Sequence, residues 1–174
     1  MRLNISKHLR LPLVAMVAVA PFMTAANCYA QVSEKDFQII GKAISFIEGG
    51  PSGDVTVDVI YDGGNADSVA DADAAAALLG AGVSSGKLKL TGGKVDASSG
   101  AKVAYIAKGA EGKAKALAAQ GVVTVSANPD CAVSGACVLG VKSSPKVEIH
   151  VNSATAGAAG AAFQSAFRMM ITEH

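Results

Sequence analysis

Lys102-Val-Ala-Tyr-Ile-Ala-Lys-Gly-Ala-Glu-Gly-Lys-Ala-Lys-Ala-Leu-Ala-Ala-Gln-Gly-Val-Val-Thr-Val-Ser126 holds a strand, a short helix and a second strand in one continuous run. Lys102 to Ile106 reads as a short core strand, apolar at consecutive positions rather than alternating. Gly112 to Gln120 has helical composition and is stopped by Gly121. Val122 to Ser126 is again β-branched, the composition of a buried strand. Strands separated by short helices pack as an α/β sandwich with a mainly parallel sheet.

Working toward the N-terminus, the same alternation recurs. Val55 to Tyr61 is β-branched and alternating and ends at Asp62-Gly63-Gly64. Asn65 is placed to cap a helix whose inner face is Val69, Ala72, Ala76 and Leu79 and which Gly80 closes. Lys87 to Thr91 alternates and stops at Gly92-Gly93, a turn signal, with Lys94 to Ala97 as a continuation beyond it. Earlier still, Phe37, Ile40, Ile44 and Ile47 recur at helical spacing, which predicts a helix over 34–48 capped by Ser33 and ended by Gly49-Gly50-Pro51.

Toward the C-terminus, Ala136 to Val141 and Lys146 to Val151 flank the turn Ser143-Ser144-Pro145 and predict an antiparallel hairpin, with Val147, Ile149 and Val151 on one face and Glu148 and His150 on the other. Asn152 is positioned to cap a terminal helix from Ala154 to about Met170, rich in alanine and weakened at its start by Gly157 and Gly160. The expected fold is therefore α/β: a mainly parallel sheet, short flanking helices, a C-terminal hairpin and a terminal helix.

The first thirty residues have the form of a bacterial export signal. Arg2, Lys7 and Arg10 precede the apolar run Leu11 to Ala20, and small residues lead to a cleavage site after Ala30, with a second possible cut near Ala26. The apolar stretch is interrupted by Pro12 and Pro21 and falls short of the roughly twenty residues that a helical membrane span needs. Asn27 before Cys28 fits a lipoprotein site poorly. The expected organisation is a signal peptide over 1–30 and one domain over 31–174, located in the periplasm.

Removing the leader takes away three of fifteen basic residues and none of fourteen acidic ones, so the formal charge falls from +1 to −2. That charge offers nothing to nucleic acid or anionic lipid. Cys28 also leaves, and Cys131 and Cys137 remain. In an oxidising compartment these two most simply form a disulfide across a short turn. Their spacing is not the Cys-x-x-Cys of a redox dithiol.

Chemistry-bearing motifs are sparse. Gly50-Pro-Ser-Gly53 lacks the lysine of a phosphate loop. Asp62, Asp67, Asp71 and Asp73 lack the ligand pattern of a calcium loop and read as a solvated helix N-terminus. His150 alternates with apolar residues on an outer sheet face, and His174 is terminal and expected to be mobile. No nucleophile and base are placed together by spacing, so no enzymatic activity, metal or cofactor is expected.

Val103 to Ile106, Gly121 to Ser126, the cysteine-bearing loop, Cys137 to Val141 and Lys146 to Asn152 together resemble the YfiR/HmsC-like family of small periplasmic proteins. The ending is similar too: an alternating strand leads through Asn152 into an alanine-glycine-rich segment with Ser165 followed by Phe167, Met169 and Met170. The resemblance covers about residues 35–171. The chain departs from it in having Glu48-Gly-Gly-Pro51 where a Trp-Pro ending is usual, and one cysteine pair where some members have two.

The resemblance implies a non-enzymatic regulator that binds the periplasmic sensory domain of a membrane-bound diguanylate cyclase or sensor kinase and restrains cyclic-di-GMP signalling and biofilm formation. Association with the membrane would then be indirect, through the partner, and a homodimer is compatible with the same reading. Phe163, Phe167, Met169 and Met170 are the candidate partner surface. The alternative is a periplasmic solute-binding module. Its site would lie beyond the carboxyl ends of the strands, at Asp62, Asn65, Ser126 and Asn128. A structural or adhesion-support protein is a third reading.

Overall fold

The computed structural model describes residues 31–174. The segment read as an export leader, the cleavage site expected after Ala30, and Cys28 lie outside the described residues.

Eight strands form one sheet in the order β2-β3-β1-β4-β5-β6-β7-β8. Third in that order is β1 (Gly53–Ile60), which pairs in parallel with β3 (Leu88–Val95) on one side and β4 (Val103–Ile106) on the other. The parallel run continues through β5 (Val123–Ser126) to β6 (Leu139–Lys142). Counted along the chain, these five strands have the order 2-1-3-4-5 of a doubly wound sheet. Antiparallel strands flank them: β2 (Val83–Ser85) beside β3, and β7 (Glu148–Val151) as the hairpin partner of β6. The two-residue β8 (Thr172–Glu173) runs parallel to β7 at the edge.

Both faces of the central strands are covered, which is why β4 and β5 are buried at every position and carry no polar alternation. Val55, Val57, Val59, Val103, Tyr105 and Val125 enter the larger core. Against them pack α1 (Glu34–Ile44) and α2 (Ala66–Ala81), with Phe37, Ile40, Ile44, Ala72, Ala75 and Leu79 buried. Burying a side chain the size of Phe37 contributes roughly 1.5–3 kcal/mol. Ile60, Ala104 and Ile106 point to the second core, covered by a 3-10 turn (Glu111–Lys113), α3 (Ala114–Ala118) and α4 (Pro129–Val133).

Helix starts follow their caps. Ser33 and Asp36 form a reciprocal capping box, in which Ser33 Oγ accepts from the Asp36 amide at 3.3 Å and Asp36 Oδ2 accepts from the Ser33 amide at 2.8 Å. Asn65 Oδ1 accepts from the amides of Asp67 and Ser68. The helix over 34–48 ends early, at Ile44, because the following residues leave it to pair with a distant segment. Ile47 bridges Phe163, and the Glu48 amide donates to the Ala162 carbonyl at 2.8 Å. The inner face of α2 is Ser68, Ala72, Ala75 and Leu79 rather than the set through Val69 and Ala76, and the helix runs past Gly80 to a cap at Gly82.

Two expectations fail for physical reasons. Gly92-Gly93 is not a turn but the middle of β3, where Val57 pairs with Gly92 and Asp58 with Gly93. A Cβ at Gly92 would lie 1.9 Å from the Val57 carbonyl oxygen, so the glycine permits a close backbone approach. The single terminal helix is replaced by α5 (Ser153–Ala158), an extended crossing at Phe163, α6 (Ser165–Arg168) and β8. Gly160, at φ +66°, ends α5: its amide donates to the Gly157 carbonyl and the Ala161 amide reaches back to the Ala156 carbonyl, a Schellman closure.

The connection from β3 to β4 has no crossover helix. Asp58, buried in β1, holds it instead: its carboxylate accepts from the Ser99 amide and Ser99 Oγ, both at 2.7 Å, and from Ser98 Oγ at 3.2 Å. These bonds satisfy a carboxylate that would otherwise be costly to bury.

The two adjacent glycines separate steric from conformational effects. Gly92→Ala should destabilise the protein by about 3 kcal/mol or more, since relief of the contact requires backbone movement in β1. Gly93→Ala, with no atom within 4 Å of its new Cβ, should change stability by less than about 1 kcal/mol. Urea denaturation of the two variants checks both values.

Candidate functional site

The carboxyl ends of β4, β5 and β6 and the N-terminus of α1 enclose a cavity of about 530 Å³. In an open α/β sheet this edge is where ligands bind. Asp36, Lys108, Asp130, Lys142 and Glu148 supply its ionisable groups, and Gln31 and Asn128 its side-chain amides. Asp36 ties the wall together: one carboxylate oxygen serves the α1 cap, and the other accepts from the Ser143 amide at 3.0 Å. A residue near the start of the chain thus fixes the turn between β6 and β7.

Of the residues proposed for a solute site, Asn128 alone lines this cavity. Its side-chain oxygen also accepts from the Asp130 amide at 3.1 Å, capping α4. Ser126 is buried in the sheet, where its hydroxyl donates to the Ile106 carbonyl at 2.9 Å and accepts from the Asn128 amide. Asp62 and Asn65 lie at the junction of β1 and α2. Asp62 Oδ1 accepts from the Gly64 amide at 3.0 Å, and Asn65 is the α2 cap. Asp62, Asn65 and Ser126 do not line this cavity.

The acidic group at the start of α2 divides. Asp73 pairs with Lys94 at the surface, but Asp71 is structural. Asp71 Oδ2 accepts from the Tyr105 hydroxyl and from the Lys108 amide, both at 3.0 Å. It thereby joins α2 to β4 and to the rim of the cavity. Tyr105 is fully buried, with its ring 5.2 Å from that of Phe37. Burial first, and the Asp71 charge second, push its phenol well above the ordinary tyrosine range. The sequence signal for this pair was one aspartate on the inner side of an alanine-rich helix and one tyrosine in an otherwise apolar strand.

Cys131 and Cys137 form a disulfide, with Cα atoms 5.1 Å apart and both side chains buried in the second core. Between them α4 closes at Gly135, whose φ of +73° lets the chain reverse. A loop this short stabilises by about 2 kcal/mol through the unfolded chain. Its main structural effect is to hold a five-residue helix too short to persist alone.

The proposed partner surface also divides. Phe167 is 2% exposed and packs against Phe46 and Phe163 at ring-centroid distances of 5.1 and 5.2 Å. Its side chain plugs the core. Phe163 is partly buried at the Ile47 bridge. Met169 and Met170 are 84% and 59% exposed and follow the plug directly. His174 is not a loose end: its amide donates to the Val151 carbonyl, its carbonyl accepts from Ser153, and its ring hydrogen-bonds His150.

Among the described residues, no three histidine, cysteine, aspartate or glutamate side chains are placed to hold a metal ion, and no helix is long and apolar enough to cross a membrane. Neither a protein-family model nor a curated protein matches the chain.

The raised Tyr105 ionisation makes an alkaline test. Because the folded value lies above the unfolded one near 10, the stabilising neutral phenol is fully present below about pH 10 and is lost as pH rises toward the folded value. In Tyr61→Phe, the one tyrosine left in residues 31–174 is Tyr105. Its phenolate absorbance should emerge together with loss of the far-ultraviolet circular dichroism signal, and reversible ionisation near pH 10 in the folded protein would contradict the buried pair.

Proposed function

We propose that the protein is a periplasmic regulator that binds the sensory domain of a membrane signalling protein, with a membrane-bound diguanylate cyclase as the first candidate, and restrains cyclic-di-GMP signalling. The observation that carries the reading is the exposed Met169-Met170 pair, presented at the sheet edge between the Phe167 plug and β8. Two adjacent methionines exposed together make a small continuous apolar patch, and methionine adapts its shape to a partner. The resemblance of residues 35–171 to the YfiR/HmsC-like family supplies the class of partner.

The mechanism requires no chemistry on this chain. A sensor domain that exchanges between active and inactive conformations is shifted by any protein that binds the inactive one more tightly. A differential affinity of about a hundredfold, roughly 2.7 kcal/mol, moves an evenly populated sensor almost wholly to one side. Export would place the regulator on the face of the membrane where such domains are exposed.

A second reading has its own observation. The cavity at the strand ends has the volume of a small-molecule site, for which about 300–1,000 Å³ is usual, and Asn128 lines it. A bound metabolite there is compatible with either a solute carrier or a ligand-responsive regulator.

Crosslinking in intact cells, followed by purification of the tagged protein, tests the first reading. The expected result is recovery of an inner-membrane cyclase or sensor kinase with the native protein and its loss with Met169→Glu/Met170→Glu. Because both residues are exposed, that variant should keep its stability within about 0.5 kcal/mol. Recovery of free protein only, with a melting temperature raised by a small solute, would replace the regulator with the solute binder.

A further inference from the structure

The last six residues, 169–174, form a strap along the outer edge of β7. Its backbone is tied down by β8, by the His174 amide donating to the Val151 carbonyl at 2.9 Å, and by the Ser153 amide donating to the His174 carbonyl at 2.9 Å. Its side chains are tied down at two places. Arg168 forms a two-pronged pair with Glu173, Nε to Oε1 at 2.6 Å and Nη2 to Oε2 at 3.0 Å. His150 Nδ1 and His174 Nε2 lie 2.9 Å apart, with the rings nearly parallel at 19°.

We infer that the His150–His174 pair is a pH-released latch that holds the strap, and with it Met169 and Met170, against the sheet edge. A bond between two imidazole nitrogens needs a donor and an acceptor, so at least one ring must present an unprotonated nitrogen. It forms when both rings are neutral or when one is charged. It cannot form when both are protonated, since both facing nitrogens then carry hydrogens and the rings repel. Release of the strap is therefore linked to proton uptake and is favoured as pH falls. Imidazole is the side chain whose charge ordinarily changes between about pH 5 and 8.

The surrounding charges leave this pair as the pH-sensitive tie. The second nitrogen of His150 faces Glu148 Oε2 at 3.8 Å, on the same strand. Other charged groups on elements packed against β7 are Lys142 on β6, Asp130 on α4 and Glu173 on β8. Arg168 holds the Glu173 carboxyl below its usual range, so that pair stays charged on both sides through the histidine range. The latch stands on this geometry and not on the identity of a partner. If the strap is a contact surface, its ordering follows the acidity outside the membrane.

Amide hydrogen exchange followed by NMR, with a parallel titration of the two imidazoles, tests the latch on the oxidised protein. After correction for intrinsic exchange, protection of the His174 and Ser153 amides should fall about tenfold from pH 8 to pH 5, the change that loss of one typical hydrogen bond produces. The amides of β4 and β5 should not change. His150→Asn keeps a donor near the Nδ1 position but cannot take up charge, and should reduce the fall to less than about twofold. In the native protein the His174 amide shift should change together with the imidazole signals. Protection independent of pH, an equal fall in His150→Asn, or imidazole protonation without amide response would each overturn the inference. The native titration decides the matter even if the variant is poorly folded.

Discussion

Val57 has a strand on each side, and on one side the neighbour comes so near that a methyl group would collide with its carbonyl oxygen. That approach, allowed by Gly92, seats β3 directly against β1 and lets β3 run through eight residues. With β1 flanked on both sides, its alternate side chains supply two cores: Val55, Val57 and Val59 on one face, Ile60 on the other. The carboxyl ends of the parallel strands then fall along one edge, where Lys108, Asn128 and Ser143 meet the start of α1. The cavity follows from that alignment.

The two faces are built differently. One is closed by long helices with well-filled apolar faces. The other is closed by short pieces, each needing a specific tie: the cystine around α4, Asp58 beneath the β3–β4 connection, and the buried small residues Ala110, before the 3-10 turn, and Ala114, at the start of α3. The ties also cross between layers. Asp36 reaches from the first helix to the β6–β7 turn, and Asp71 from α2 to β4. The buried Asp36 and Asp58 and the half-buried Asp71 are thus joints, each accepting hydrogen bonds from hydroxyls and backbone amides.

Much of this architecture was legible because local chemistry and tertiary structure agree. Ser33 with Asp36, Asn65 and Asn152 mark helix starts by their side-chain oxygens, and Val103 to Ile106 and Val122 to Ser126 read as strands buried on both faces. The cystine followed from two cysteines six positions apart across a turn. What was misread depends on partners distant in sequence. A glycine pair signals a turn unless a neighbouring strand needs the space, as Val57 does. An alanine-rich run signals a helix unless its glycine is used to stop it and the rest of the chain is drawn to Ile47 and β7. Asp71 looked solvated because its partner is thirty-four residues away. The candidate site was legible in place but not in detail: the strand ends do hold a cavity, yet Asp62, Asn65 and Ser126 are occupied with local backbone bonds, and Asn128 alone faces the space.

The arrangement leaves one edge of the sheet finished by a thin strap bearing two exposed methionines, and one end of the sheet open as a cavity. Both depend on β1 lying between β3 and β4 in parallel, because that order sets which edge β7 occupies and which loops meet at the strand ends. Cross-strand nuclear Overhauser effects from the Val57 backbone test this most directly. The account predicts contacts from Val57 to both Gly92 and Val103 in the parallel pattern. Contacts to Gly92 in an antiparallel pattern, or contacts to one of the two strands without the other, would contradict it.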